Sequence, residues 1–237
     1  MNRAHAMPFG AEYQGAATTF RLWAPAAANV ELVLGDADDA LAMVSRGDGW
    51  FDRRVEGVRR AARYAFRIDG GIVVPDPASR ANPGGVHGRS AVVDPAAYAW
   101  HDDAWRGRPW RDAVVYELHV GAFTPEGTFA AAMARLDELA DLGITAVELM
   151  PVAAFPGTRN WGYDGVLPFA PAASYGTPDD LKRLVDAAHA HGLMMLLDVV
   201  YNHFGPEGNY LHAYAPQFFN PAHQTPWGAA INFDGEA

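Results

Sequence analysis

The chain has 237 residues, half of them apolar, which is enough to bury the core of one large domain or two ordinary ones. Its 28 acidic against 18 basic side chains give a formal net charge of -10, which disfavours nucleic acid and anionic membranes as partners. The lack of cysteine excludes disulfides and thiolate metal sites. The net charge fits a neutral ligand better. The sequence has no apolar signal core and no run of about 18 uncharged apolar residues, so we expect a cytoplasmic protein.

Residues 1–75 are predicted to form an antiparallel β-sandwich. Short alternating segments such as 18–23 and 63–68 are separated by Gly, Pro and Asp at intervals of about ten residues, which is typical of that fold. The Asp69-Gly70-Gly71 turn suits a hairpin that needs positive φ angles. The acidic stretch 35–39 lacks the spacing and the terminal Glu of a calcium loop, so we expect no metal there.

Residues 76–110 are predicted to be a linker and inter-domain segment, because proline and glycine become frequent and three tryptophans follow. Trp100, Trp105 and Trp110 have two interpretations: they pack between domains, or they offer an exposed indole face on which a sugar stacks. The glycine-rich run 84–90 lacks the Lys-Ser/Thr ending of a phosphate loop, so we expect no phosphate site.

From residue 111 onward, strand and helix alternate. The pattern predicts three strands, at 113–120, 144–150 and 193–197, and two helices that begin at the caps Thr128 and Thr177. This order implies parallel strands with right-handed crossovers. Because the loops after the second and third strands are long, we predict that residues 111–237 are the first three units, about half, of a (β/α)8 barrel.

Polar side chains follow the third predicted strand at its carboxyl end, which is where ligands bind in parallel α/β folds. Asp198, Asn202 and His203 come directly after the apolar run. They are therefore the first candidates for site residues.

The loop after the second strand carries Trp161, Tyr163 and Asp164 within a stretch of seven residues. Two aromatic rings beside a carboxylate favour a ligand-binding loop over a simple connector. Aromatic side chains also close the mouths of barrels, so packing is the alternative interpretation.

These stretches resemble the α-amylase superfamily of glycoside hydrolases. Residues 198–203 are similar to its first signature segment, at the end of barrel strand three, and residues 160–165 are similar to the loop that brings a Tyr under the reacting sugar. Within the superfamily, the sequence resembles the malto-oligosyltrehalose trehalohydrolases at residues 148–152, 204–210 and 225–235. The segment 20–25 fits the N-terminal sandwich of that group.

The resemblance implies cofactor-free cleavage of the α-1,4 bond next to the trehalose end of maltooligosyl-trehalose, an α-glucan derivative, with retention at the anomeric carbon. Retention needs two carboxyl groups about 5 Å apart. It also implies roles for four residues: Tyr163 stacks beneath the sugar, His203 hydrogen-bonds it, and Asp198 and Asn202 orient their neighbours. Trp161 and Asp164, in the same loop as Tyr163, are also predicted to bind substrate.

In the superfamily the nucleophilic Asp and the acid/base Glu lie on later strands, which we expect beyond Ala237. We therefore expect residues 1–237 alone to be inactive. The half-barrel would expose unpaired strand edges and apolar faces, which favour self-association.

The remaining carboxylates and histidines of the barrel part have structural interpretations. Glu117 and Glu148 lie inside strands, where pairing with an interior Arg, Lys or Tyr is expected rather than catalysis. His119 is expected to be a hydrogen-bonded core residue, and His189 and His191 complement the dipole of a helix C-terminus.

Two other functions remain open. One is a glucan branching or debranching enzyme, which has the same domains and the same signature. The other is a non-catalytic α-glucan-binding module with a vestigial half-barrel.

Overall fold

The computed structural model describes residues 7–36 and 39–235, so positions 37 and 38 of the acidic stretch 35–39 lie outside the described residues. Antiparallel sheets form the N-terminal part, and a parallel sheet with helices follows, which confirms the predicted fold class. In chain order the strands are β1 (Gly10–Tyr13), β2 (Ala17–Trp23), β3 (Val30–Leu34), β4 (Ala40–Ala42), β5 (Val44–Gly47), β6 (Trp50–Glu56), β7 (Arg63–Ile68), β8 (Val73–Val74), β9 (Ser90–Ala91), β10 (Val115–Leu118), β11 (Ala146–Leu149), β12 (Ala153–Ala154), β13 (Leu167–Pro171), β14 (Met194–Leu197), β15 (Phe219–Thr225) and β16 (Gly228–Ile231).

The helices are short except for one. They are α1 (Val120–Phe123), α2 (Phe129–Met133), α3 (Leu136–Asp141), α4 (Pro178–Ala190) and α5 (Leu211–Tyr214), with single 3₁₀ turns at Trp110–Asp112 and Pro216–Phe218. Among the described residues, no helix combines the length and the apolar character that crossing a bilayer requires.

Two antiparallel sheets build the sandwich, in the orders β1-β2-β6-β5 and β4-β3-β7-β8. Alternate residues of β2 and β7 point inward, and the rings of Phe20 and Tyr64 meet with their centres 4.9 Å apart. The predicted positive-φ turn is present, with φ of 50° at Asp69 and 69° at Gly70. The Asp69 carboxylate also accepts hydrogen bonds from the backbone N–H groups of residues 28 and 29, which fixes the neighbouring loop.

The sandwich continues past residue 75 into the segment that the sequence assigned to the linker. Strand β9 pairs with β7, and the backbone N–H of Asp76 donates to the Ser90 hydroxyl at 3.0 Å. The Tyr64 hydroxyl donates to the buried Asp76 carboxylate at 2.6 Å. Burial raises the pKa of Asp76 to about 6, because the hydrogen bonds do not fully replace the lost hydration of the charge.

Residues 98–105 of the linker lie against helix α4. Trp105 stacks on His189 with ring centres 4.8 Å apart, and His189 Nδ1 lies 2.6 Å from a carboxylate oxygen of Asp102. A second contact joins His101 Nδ1 to the buried Asp186 at 2.8 Å. Trp105 therefore has a packing role, as the first of the two interpretations of these tryptophans expected, whereas Trp110 is exposed.

Strands β10, β11 and β14 form a three-stranded parallel sheet in which Val115, Ala146 and Met194 lie side by side. One face packs against the helices through buried residues of β10 and β11, including Leu118, Val147 and Leu149, together with Leu193, which directly precedes β14. The helix caps form as predicted. Thr128 accepts from the Ala131 N–H, and Thr177 makes a reciprocal capping box with Asp180.

Two features differ from the sequence-based expectation. The single helix expected after Thr128 is divided into α2 and α3, because the backbone leaves the helical region at Arg135, with φ of -108° and ψ of 4°. No proline or glycine marks this break. The segment after β14 also returns to the sandwich. Leu211, Tyr214 and Phe219 are buried in the sandwich core, and the Tyr214 carbonyl accepts from the Ala26 N–H at 2.9 Å.

The raised pKa of Asp76 predicts a specific pH dependence of stability. A carboxyl whose folded pKa exceeds its unfolded pKa of 3.8 stabilises the fold below pH 3.8, and this contribution is lost as the pH rises through about 6. Relative to Asp76→Asn, the wild-type free energy of unfolding should fall by about 2 kcal/mol between pH 4 and pH 7, measured by urea titration. Asp48→Asn, in an exposed turn, serves as the matched control. Identical pH profiles for wild type and Asp76→Asn would contradict the assignment.

Candidate functional site

The candidate site lies at the carboxyl ends of β11 and β14. Asp198 directly follows β14, and its backbone N–H donates to the Leu149 carbonyl at 2.9 Å, which fixes it beside the end of β11. The Tyr163 hydroxyl donates to Asp198 Oδ2 at 3.1 Å. The structure therefore brings together two residues from the two loops that the sequence singled out. The Tyr163 side chain is 40% exposed, so much of its ring faces solvent.

Negative charge surrounds the Tyr163 phenol. Partial burial raises its pKa, and the hydrogen bond to Asp198 and the charges of Asp198, Glu117 and Glu148 raise it further. The phenol therefore stays protonated over the whole physiological pH range and continues to donate its hydrogen bond to Asp198.

Asn160 organises the loop that carries Tyr163. Its side-chain oxygen accepts from the backbone N–H groups of Gly162 at 2.7 Å and Asp164 at 3.4 Å, and its side-chain nitrogen donates to the Asp164 carboxylate at 2.6 Å. Asp164, which the sequence predicted to bind substrate, is thus engaged within its own loop. Trp161 is 77% exposed and projects from the same turn.

Glycine is required at two close contacts of this loop. Gly162 has φ of 104°, and a Cβ there would collide with the Pro151 carbonyl. A Cβ on Gly205 would collide with the Asp164 carbonyl, and the Gly205 N–H donates to Gly165 at 3.2 Å. The loops that carry Tyr163 and His203 are therefore in direct backbone contact.

His203 itself is only 6% exposed, covered by the hairpin of β15 and β16 through a bridge to Ala230. Its Nδ1 is buried without a hydrogen-bond partner among residues 7–36 and 39–235. Asn202 is exposed, and its carbonyl accepts from Ile231 at 3.3 Å. The hairpin and the signature segment thus form one unit.

Glu117 and Glu148 are register partners on neighbouring strands. They lie on the face of the sheet opposite the helices, because Leu118 and Leu149, one position on, pack into the helix side. Neither carboxylate forms an ion pair or a hydrogen bond in the described part of the chain, so the expected partner of the type Arg, Lys or Tyr is not found there. Their clearest effect is electrostatic, on Tyr163.

Two cavities flank the barrel part. A larger one, of about 550 Å³, lies on the outer side of α4 and is lined by Tyr98, Trp105, Asp186 and His189. A smaller one, of about 120 Å³, lies at the strand ends and is lined by Gly162, Asp198 and Tyr201 among others. We assign the site to the strand ends because the signature residues converge there, irrespective of volume. No cluster of three or more His, Asp or Glu side chains in the described ranges is placed to hold a metal ion.

The hydrogen bond expected of His119 is present, but its partner was not predicted from the sequence, and neither was the role of Asn160. An Asn followed four residues later by Asp in a glycine-rich loop is a local turn signal, which indicates the hydrogen bonds of Asn160 to its own loop. His119 Nε2 lies 2.6 Å from the Asn160 carbonyl, a contact across 41 residues that no local pattern indicates.

The electrostatic environment of Tyr163 can be tested with Asp198→Asn. Replacing the carboxylate by an amide removes the negative charge and weakens the hydrogen bond, so the pKa of Tyr163 should fall toward that of an ordinary phenol. NMR titration of ¹³Cζ-labelled tyrosine measures this, with Tyr163→Phe for assignment and exposed Glu126→Gln as the control. An unchanged Tyr163 titration would show that the contact does not persist in solution.

Two family models match this chain. The α-amylase catalytic-domain family model matches residues 73–224, and carbohydrate-binding module 48, the isoamylase N-terminal domain, matches residues 8–96. Malto-oligosyltrehalose trehalohydrolase of Deinococcus radiodurans is 48% identical over 92% of this chain and 36% of its own length.

Two solved structures show the same fold. A crystal structure of an α-amylase candidate from Salmonella typhimurium is 53% identical, with a TM-score of 0.94 over 97% of this chain and 39% of that one. A pullulanase from Anoxybacillus in complex with maltotetraose is 25% identical, with a TM-score of 0.79 over 96% of this chain and 41% of that one. The chain thus spans less than half the length of these relatives, and it belongs to the α-amylase family of glycoside hydrolases.

Proposed function

We propose that this chain is the N-terminal part of a glycoside hydrolase that cleaves the α-1,4 bond next to the trehalose end of maltooligosyl-trehalose and releases trehalose. The observation that carries the proposal is the Tyr163–Asp198 contact at the ends of neighbouring parallel strands, beside the exposed Trp161. The likeness to the trehalohydrolase of Deinococcus radiodurans, at 48% identity, supports this substrate over other glucans.

The proposed roles follow from the geometry. An aromatic face complements the apolar face of a glucose ring, and its negative quadrupole favours the positive charge that develops in an oxocarbenium-like transition state. Asp198 holds the Tyr163 hydroxyl and thereby the ring. Trp161 offers a second stacking surface, and His203, which is 6% exposed, supplies a hydrogen bond to a sugar hydroxyl.

The proposed reaction proceeds with retention, through two carboxyl groups about 5 Å apart. We assign neither role to Glu117 or Glu148, because both lie within strands rather than at the carboxyl ends where substrate binds. We propose that the nucleophile and the acid/base belong to barrel strands other than the three described. Residues 1–237 alone are therefore proposed to bind glucan without turnover.

Product analysis tests the function most directly. The protein expressed with its full natural reading frame should release free trehalose from maltooligosyl-trehalose, and Tyr163→Ala should lower kcat/KM by about 100-fold through lost stacking and transition-state stabilisation. Tyr13→Ala, in strand β1 of the sandwich, is the control and should have little effect. Measurable hydrolysis by purified residues 1–237 would overturn the proposal that these residues are inactive alone.

The second candidate is a glucan branching or debranching enzyme of the same superfamily. The likeness to the pullulanase favours this candidate. It is the weaker of the two, because the identity to the pullulanase is 25%, against 48% to the trehalohydrolase. New or lost α-1,6 branches without free trehalose would establish this alternative. Glucan affinity without any activity of the full protein would instead support a non-catalytic binding module.

We also propose that residues 1–237 on their own self-associate. Strands β10 and β14 are the outer strands of the described parallel sheet, and apolar side chains at or beside them, Val114, Val115, Leu197 and Val199, are exposed. Sedimentation velocity should show a concentration-dependent increase in mass. A single monomeric species at all concentrations would contradict this.

A further inference from the structure

His119 follows strand β10 and contacts the loop that carries the aromatic residues. Its Nε2 lies 2.6 Å from the Asn160 carbonyl oxygen. A carbonyl only accepts hydrogen bonds, so the imidazole must carry its proton on Nε2. In the neutral ring Nδ1 is then a bare acceptor, and it is buried without a partner in the described part of the chain.

The ring of His119 is held in one orientation. Tyr175 meets it edge to face, with ring centres 6.0 Å apart, and the Tyr175 hydroxyl lies 3.4 Å from the same Asn160 carbonyl. On the other side, a Cβ on Gly121 would lie 3.0 Å from both the His119 and Tyr175 rings, so the backbone closes over them. Phe129 and Phe155 in turn pack on Tyr175, at 5.9 and 5.6 Å.

This contact connects the end of β10 to the candidate site in three steps. His119 binds the backbone of Asn160, and the Asn160 side chain fixes the turn that carries Trp161 and Tyr163. Tyr163 then bonds to Asp198 at the end of β14. The position of the aromatic faces therefore depends on a hydrogen bond from a residue that is itself outside the loop.

We propose that His119 is a positioning residue: its Nε2–H holds the Asn160 carbonyl and so sets Trp161 and Tyr163 for α-glucan binding. The effect of His119 on glucan binding rests on the proposed function, whereas its effect on the conformation of the loop does not. In the other neutral tautomer the proton would lie on Nδ1, which is buried and has no hydrogen-bond partner among the described residues. Burial therefore favours the tautomer with the proton on Nε2, which is the one that binds the Asn160 carbonyl.

The chemistry of the donor provides matched variants. A glutamine nitrogen is separated from Cβ by the same number of bonds as the imidazole Nε2, so His119→Gln keeps a donor near the Asn160 carbonyl. An asparagine nitrogen is one bond closer to the backbone, so His119→Asn is polar but does not reach. His119→Ala removes the donor altogether. His191→Ala, which removes a surface pairing with Asp137, is the control.

The experiment uses the 1–237 chain and two readouts. The first is amide hydrogen exchange of Gly162, whose N–H is held by the Asn160 side chain, and the second is maltotetraose affinity from intrinsic tryptophan fluorescence. His119→Ala and His119→Asn should speed Gly162 exchange and weaken maltotetraose binding about tenfold. His119→Gln should restore both to within about threefold, and His191→Ala should change neither.

The outcomes separate this inference from the proposed function. Unchanged Gly162 exchange in both His119→Ala and His119→Asn, or equal effects of Gln and Asn, would overturn the positioning role. If His119→Ala fails to fold, the comparison of Gln with Asn decides. ¹⁵N NMR of the wild-type imidazole should show the proton on Nε2, and a proton on Nδ1 would also refute the inference. If wild type does not bind maltotetraose but the exchange pattern holds, only the proposed function fails.

Discussion

The hydrogen bond between Tyr163 and Asp198 is the contact on which the candidate site depends. It joins the long loop after the second barrel strand to the first residue after the third, and so converts two separate loops into one wall. A single hydrogen bond at a partly exposed position contributes only about 1 kcal/mol. The bond can form because other contacts bring the two loops together. Gly162 and Gly205 permit close backbone approach, and the Asn160 side chain fixes the turn that carries Tyr163.

Direct contacts also join the sandwich to the barrel part. The segment that follows the signature residues runs back to the sandwich and buries Tyr214 in its core. A second connection starts at His87, whose Nδ1 lies 2.6 Å from the Tyr210 hydroxyl and whose Nε2 lies 2.9 Å from the Glu207 carboxylate. The glycine-rich run 84–90 is thereby joined to the same loop. The N-terminal sheets therefore support the site from behind, and the loop after β14 gains order that three parallel strands alone would not give it.

Local chemistry made much of the fold predictable. The caps Thr128 and Thr177, the turn at Asp69 and the order of the parallel strands all follow from short patterns, because neighbouring residues determine them. The sequence also predicted the two loops that follow the second and third parallel strands. It did not predict the break at Arg135, the extension of the sandwich to β9, or the finding that Glu117 and Glu148 make no hydrogen bond or ion pair to a basic or phenolic side chain of the described residues. These depend on packing across long sequence separations, as does the contact of His119 with Asn160.

The central claim is that the loops after β11 and β14 together form one side of a glucan-binding site. A crystal structure of this chain with maltotetraose tests it most directly. The account predicts a glucose ring stacked on the face of Tyr163, with a hydroxyl within hydrogen-bond distance of His203. A bound sugar that touches neither residue, with both loops unchanged, would contradict it.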